Sequence, residues 1–212
     1  PVAVYSDREL GVEMAAIHEQ LKHADDWAVR STALRRLHSL VLGGACDFDS
    51  FAGHLKTMKD ALVAQLAELR SSLVRDACAA LGAAAEKMRE SFEPFCIDFV
   101  PPMLKQTTVT IQVIREASNL GLRTLLVYAT PAKVTPRLLV ALADRSSSLR
   151  KNAIEYVRLL LEATPVHSEG ERCPLEKHAD ALATALKAAL TDAITEVRAT
   201  ARLSFWAYHR HF

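Results

Sequence analysis

The sequence predicts an all-α fold, an α-solenoid of five antiparallel helix pairs, and three observations carry that prediction. The first is a short pattern of an aliphatic residue, an Arg, two variable residues and a small residue, present five times. It reads Val29-Arg30-Ser31-Thr32-Ala33, Val74-Arg75-Asp76-Ala77-Cys78, Ile114-Arg115-Glu116-Ala117-Ser118, Leu149-Arg150-Lys151-Asn152-Ala153 and Val197-Arg198-Ala199-Thr200-Ala201. The second is its spacing: successive Arg residues lie 45, 40, 35 and 48 positions apart, with two helical segments in each interval. The third is composition, rich in Ala and Leu with only 7 Gly and 8 Pro, in which no stretch alternates with a period of two. A period near 40 with two helices per unit is the signature of a HEAT-repeat solenoid.

In chain order, residues 6–22 open with Ser6 as N-cap. Glu9, three residues on, completes a capping box, and Leu10, Met14, Ile17 and Leu21 form one apolar stripe. A polar break leads to Trp27 and a second helix to about Leu42, with Val29, Ala33, Leu34, Leu37 and Val41 inward and Gly43-Gly44 ending it. The second pair joins 49–67 to 71–89, with Ser71 or Ser72 expected to cap the second helix. The third joins 92–105 to 110–128. There Pro94 suits a first turn and Pro101-Pro102 is expected to kink or restart the helix. The fourth joins 132–143 to 147–163, capped by Ser146 or Ser147. The stretch 164–174, polar and bracketed by prolines, reads as a linker before the fifth pair, 175–190 with 195–209.

Half the residues are hydrophobic, so a sizeable core is available. A net charge of +1 gives the chain as a whole no field for nucleic acid or membrane, and any electrostatic recognition must be local. No run of about 18 apolar residues and no signal-peptide pattern occurs, so neither a transmembrane helix nor a signal peptide is expected. Pro1 in place of an initiator Met points to a piece of a longer protein. Cys46, Cys78, Cys96 and Cys173 lack CxxC spacing. Cys78 falls on the small position of the repeat pattern, which favours a reduced core thiol and a reducing intracellular compartment over a disulfide or a zinc site.

Enzymatic motifs are not found: no GxGxxG, Walker, GxSxG or HExxH sequence occurs, and no cofactor or metal is implied. His209 and His211 lie two apart on a helix and so point in different directions; packing and capping of the last helix is their ordinary role. Acid pairs such as Asp25-Asp26 sit in turns, where such residues are expected. Binding remains. In a solenoid the turns within each pair emerge on one edge, here 23–27, 68–72, 106–110, 144–147 and 191–195. Arg70, Arg75, Lys105, Arg145, Arg150, Lys151 and Arg198 lie near them, while Asp47, Asp49, Glu90, Glu93, Glu169 and Glu171 lie in the opposite loops. The pattern Arg residues have a structural reading, since Asp144 to Arg150 and Asp192 to Arg198 share a six-residue spacing suited to a ladder of ion pairs. Arg70, Arg145 and Lys151 are then the freer cations. Trp27, placed after two Asp in a turn, is either an interface anchor or a staple at the helix start.

Several stretches resemble the TOG domains of CLASP, the cytoplasmic linker-associated proteins, the second TOG domain above all. They are 4–10, Asp26-Trp27 with Arg30, 69–78, 192–198 with Ala201-Arg202, and the end 205–212. The resemblance spans nearly the whole chain and implies a single TOG-type domain over residues 1–212. It also implies a tubulin-binding module of a cytoplasmic microtubule regulator that suppresses catastrophe and promotes rescue, contacting αβ-tubulin or the lattice through intra-repeat loops. The family's first-loop Trp falls on Trp27, its second-loop basic positions on Arg70 and Arg75, and its later positions on Arg150, Lys151 and Arg198. With their turn neighbours Ser72, Arg145 and Thr195, these nine make up the candidate tubulin-binding set. Related domains commonly carry a Lys in the third-repeat loop where this chain has Gln112, with Lys105 nearby. Tubulin is acidic, which suits a basic edge with one aromatic anchor. The expected partner excludes nucleic acid and membrane, and the isolated domain is expected to be monomeric. The rival reading is an α-solenoid scaffold, a ciliary TOG-array protein or a generic HEAT adaptor, that binds another protein along a different surface.

Overall fold

The computed structural model describes residues 1–23, 25–166 and 172–212, and among them every regular element is helical. Eleven α-helices follow in order: α1 (Asp7–Leu21), α2 (Trp27–Leu42), α3 (Phe51–Thr57), α4 (Lys59–Leu66), α5 (Ser71–Met88), α6 (Glu93–Gln106), α7 (Gln112–Ala129), α8 (Thr135–Leu142), α9 (Ser147–Ala163), α10 (Ala179–Ala189) and α11 (Thr195–His209). Antiparallel pairs of the HEAT-repeat α-solenoid class result, as the period predicted. The chain divides into two compact units, Pro1–Leu125 and Leu126–Phe212.

In the first unit the second helices α2 and α5 lie side by side, and the first helices α1, α4 and α6 form the layer behind them. The repeat pattern works as a packing code. Its small residues Ala33, Cys78 and Ser118 are buried, as are Ala153 and Ala201 in the second unit. Side chains of that size let neighbouring second helices approach. At Gly121 a Cβ would stand 3.0 Å from that of Cys78, so only glycine keeps this spacing without a shift. Behind this contact, Phe92, Phe95 and Phe99 cluster with ring centroids 5.5–6.4 Å apart. Burying each of these rings contributes about 2–3 kcal/mol. In the second unit α9 packs against both α8 and α11, over Ile154, Tyr156, Val157, Leu160 and Val197.

The local signals held at several ends. Ser6 accepts the Glu9 N–H at 3.2 Å, and Ser146 accepts the Leu149 N–H at 3.3 Å. The Glu9 carboxylate reaches back as a capping box requires, but it accepts from Tyr5 rather than Ser6, at 2.8 Å. Gly43 and Gly44 close α2, Gly44 at φ +95, and a Cβ on Gly43 would collide with the Val2 carbonyl at 1.9 Å. That contact seats the N-terminal segment, whose Val2 N–H donates to Ser39 at 2.8 Å.

Other expectations need correction. The helix expected over 49–67 is two helices, because the backbone leaves helical geometry at Met58 (ψ 6) while the Met58 side chain stays buried. Neither Ser71 nor Ser72 caps α5: the N-cap residue is Arg70, so both serines already lie within the helix, where their hydroxyls are past the cap position. Pro101 and Pro102 do not restart a helix. α6 runs through both, and the helical bonds they remove are those to the carbonyls of Ile97 and Asp98. Phe99, Val100, Met103 and Leu104, all buried, hold the helix through the interruption. Of the expected linker 164–174, residues 167–171 lie outside the described residues. Thr164 ends α9, its hydroxyl donating to the Leu160 carbonyl at 2.7 Å.

Candidate functional site

In the first unit the intra-repeat turns come together on one edge. Asp26 is the N-cap of α2, its carboxylate accepting from the Ala28 and Val29 N–H groups at 2.9 and 3.1 Å, and this fixes Trp27 as the first helical residue. Trp27 is 41% exposed. The Arg70 guanidinium, from the turn before α5, lies over its ring at 4.6 Å from the centroid. A cation at that distance is attracted by the ring face, and the pair presents an aromatic edge and a positive charge together. Leu69 beside it is 76% exposed.

Arg30, one turn below Trp27, is buried and donates to the Gln65 side-chain oxygen at 3.1 Å and to the Glu68 carboxylate. Gln65 donates in turn to the Leu21 carbonyl at 3.4 Å and to that of Ala61 at 3.1 Å. Gln106, at the end of α6, donates to the carbonyls of Leu66 and Glu68 at 3.2 and 3.0 Å. Orphan carbonyls at helix ends and in turns are thereby satisfied by side chains of the next repeat.

Arg75 turns elsewhere. It makes two 3.1 Å bonds to the buried Asp76 carboxylate, which also accepts the Ser31 hydroxyl at 2.6 Å and pairs with Arg35 at 3.2 Å. This places Arg75 on the wall of a cavity of about 320 Å³ over α5, with His38, Leu42, Cys78, Glu86 and Leu120. Ser72 is half-buried in the first turn of α5. At the third turn, Gln112 donates to Glu116 at 2.7 Å, Arg115 donates to the Val109 carbonyl at 3.1 Å, and Lys105 is exposed.

The second unit gathers the other candidates round two turns. Arg150 donates to the Asp144 and Arg145 carbonyls at 3.0 and 3.1 Å and grips Asp192 through two bonds, at 2.7 and 3.1 Å. Arg198 repeats the first gesture, donating to the Asp192 and Ala193 carbonyls at 2.6 and 2.9 Å and to the Thr195 hydroxyl at 2.9 Å. Lys151 pairs with Glu196 at 2.8 Å. The Arg150 hydrogen bond holds the Asp192 carboxyl below the usual carboxylate range, and the Lys151 hydrogen bond does the same for Glu196. Arg145 is exposed, and among the described residues its side chain makes no ion pair.

The expected ladder is therefore corrected. The six-residue spacing is real, but Arg150 and Arg198 bond to the backbone carbonyls of Asp144 and Asp192. The Asp192 carboxylate serves the Arg of the preceding repeat instead. Lys151, expected to be one of the freer cations, is held by Glu196. The residues that sequence reasoning passed over are Gln65, Gln106, Glu68 and Asp76. A Gln recurring after 41 residues in apolar surroundings was the available signal for the first two. At the chain end His211 Nε2 lies 2.7 Å from the Leu161 carbonyl and Phe212 packs on Tyr208 at 4.8 Å. The four thiols are free, with burial pushing Cys46 and Cys78 up to about 12. Among the described residues no cluster of His, Cys, Asp and Glu is arranged to hold a metal, and no helix is long and apolar enough to cross a membrane.

Comparison with known proteins places this architecture. Residues 10–212 match the family described as CLASP N terminal. The chain is 35% identical to the CLIP-associated protein of Arabidopsis thaliana over 97% of its own length and 14% of that protein's. It is 28% identical to CLIP-associating protein 1-A of Xenopus laevis over 100% of its length, again 14% of the relative's. The chain thus spans about a seventh of these relatives. Among solved structures, a microtubule polymerase with a TOG domain array, studied for tubulin recruitment, superposes with a TM-score of 0.70 at 15% identity, covering 93% of this chain and 41% of that one. The TOG domain of C. elegans Zyg9 gives 0.64 at 16% identity, covering 100% of this chain and 79% of that one. With the match running over almost all of its residues, the chain belongs to the CLASP N-terminal family.

Proposed function

We propose that residues 1–212 act as one TOG domain that binds αβ-tubulin or the microtubule lattice as a non-enzymatic module of a cytoplasmic microtubule regulator. The observation that carries this reading is the Trp27–Arg70 pair, an exposed aromatic and a cation offered together at the turn edge of a CLASP-family chain. An acidic partner with an apolar spot meets both halves of that pair, the ring by burial and the guanidinium by charge. Of the nine candidate residues, Trp27, Arg70 and Arg145 are the direct contacts in this reading. Thr195, Arg150 and Arg198 shape the turns, Ser72 lies in the first turn of α5, and Arg75 and Lys151, paired with Asp76 and Glu196, stand behind the tips. A near-neutral chain supports a protein partner over nucleic acid or a membrane surface. As an isolated domain the chain acts as a monomer.

The test is co-sedimentation with microtubules and gel filtration with free tubulin, comparing wild type with Trp27→Glu. The expected outcome is loss of binding in at least one assay with an unchanged circular dichroism melt. If Trp27→Glu leaves both binding assays unchanged, the anchor assignment is wrong.

A further inference from the structure

Two buried glutamines occupy equivalent places one repeat apart. Gln65 donates to the carbonyl of Leu21, the last residue of α1, and Gln106 donates to that of Leu66, the last residue of α4. Each therefore reaches back from the first helix of its own repeat to the turn of the repeat before. Gln106 does more, because its second bond holds the carbonyl of Glu68 in the middle of the turn, and it is only 6% exposed. The Glu68 carboxylate is held by Arg30, three residues after Trp27 in α2. Two residues beyond Glu68 stands Arg70, over the Trp27 ring.

We propose that Gln106, with Gln65 as its counterpart one repeat earlier, is a positioning residue that aims the second turn so that Arg70 lies on Trp27. The chemistry favours an amide here. Two carbonyls with no helical donor must be satisfied in a buried place, and a neutral amide does so with two directed N–H bonds and no charge to desolvate. An apolar side chain of the same volume fills the space but gives the turn no direction. The tip is thus assembled by three repeats: Trp27 and Arg30 from the first, Glu68 and Arg70 from the second, Gln106 from the third.

This inference rests on the proposed tubulin-binding role of the tip, and the experiment separates the two. In a Trp206→Phe background, which leaves Trp27 as the single Trp, acrylamide quenching reads the cover over the ring. Arg70→Ala calibrates the uncovered state. Gln106→Met is expected to move quenching most of the way to that level and to weaken tubulin binding roughly fivefold, the scale of one buried hydrogen bond. Gln106→Asn, which keeps the amide but withdraws it by one methylene, is expected to fall between and supplies the reading if Gln106→Met does not fold. Wild-type quenching in the Gln106 variants while Arg70→Ala is uncovered, even with a lowered Tm, overturns the positioning role, as does Arg70→Ala quenching no better than wild type. Uncovered Trp27 with tubulin binding intact in both Gln106→Met and Arg70→Ala supports positioning and sinks the tubulin reading of this tip instead.

Discussion

The two units solve the same local problem, how to hold an intra-repeat turn, with different side chains. In the first two turns of the first unit, neutral glutamines from the next repeat satisfy the carbonyls, and a cation, Arg70, is left at the surface against Trp27. The third turn of that unit is held by a pattern arginine, Arg115 on the Val109 carbonyl. In the second unit, the pattern arginines themselves bond the turn carbonyls, and Asp192 joins two repeats through Arg150. The difference teaches that a conserved-looking motif within one chain need not do one job. The same Arg is a spacer to Gln65 and Glu68 at Arg30, a partner of a buried carboxylate at Arg75, and a turn clamp at Arg150 and Arg198. Where the arginines clamp, Arg145 is the exposed cation left in the turn itself.

The contrast can be broken most forcefully at Asp76. This buried carboxylate gathers Ser31, Arg35 and Arg75, so Asp76→Ala strands a fully buried hydroxyl, while the two guanidinium groups, both more than half exposed, turn to water. A loss of about 2 kcal/mol is expected by urea unfolding, with the first unit more affected in hydrogen exchange. A result near zero would mean that water replaces the carboxylate and that the network is ornamental to the fold.

Asp192→Ala should cost less, roughly 2–4 °C in Tm, because it strands no fully buried hydroxyl and Arg150 retains its two carbonyl bonds. The same residue gives a pH signature. Its folded pKa lies below the unfolded one, so its contribution is present above the ordinary carboxylate value and is lost as pH falls through that value towards the folded one. Thermal melts below about pH 5 should therefore fall more gently for Asp192→Asn than for wild type. Identical acid limbs would show that the Arg150–Asp192 pair contributes nothing to stability.

The smallest effect is expected at Lys151. Its bond to Glu196 is between exposed groups, so Lys151→Ala should leave Tm within error at physiological salt, with any difference appearing only at low ionic strength. A salt-insensitive fall in Tm would show that the pair is structural and that the two units are less different than they look.

Much of the fold was legible because it rests on periodicity. The five pattern matches placed every second helix, and their small residues proved to be the buried seam, since helix approach depends on side-chain size alone. Caps at Ser6 and Ser146 were readable for the same reason, being local. The prolines of α6 and the break at Met58 were not, because a helix survives or yields according to what its neighbours bury. Trp27 could be singled out as unusual from its place after Asp26.

What the sequence determined by itself was therefore the helix content, the phase of the repeats and the family, all properties of spacing and residue size along the chain. What only the tertiary structure decided was where each polar side chain points. The turn carbonyls that Arg150 and Arg198 meet are local, but the carboxylates and the ring are distant in sequence: Glu68 for Arg30, Asp192 for Arg150 and Trp27 for Arg70 come from other repeats. Hydrogen bonds are directional and short, so that choice is settled only once the helices have packed.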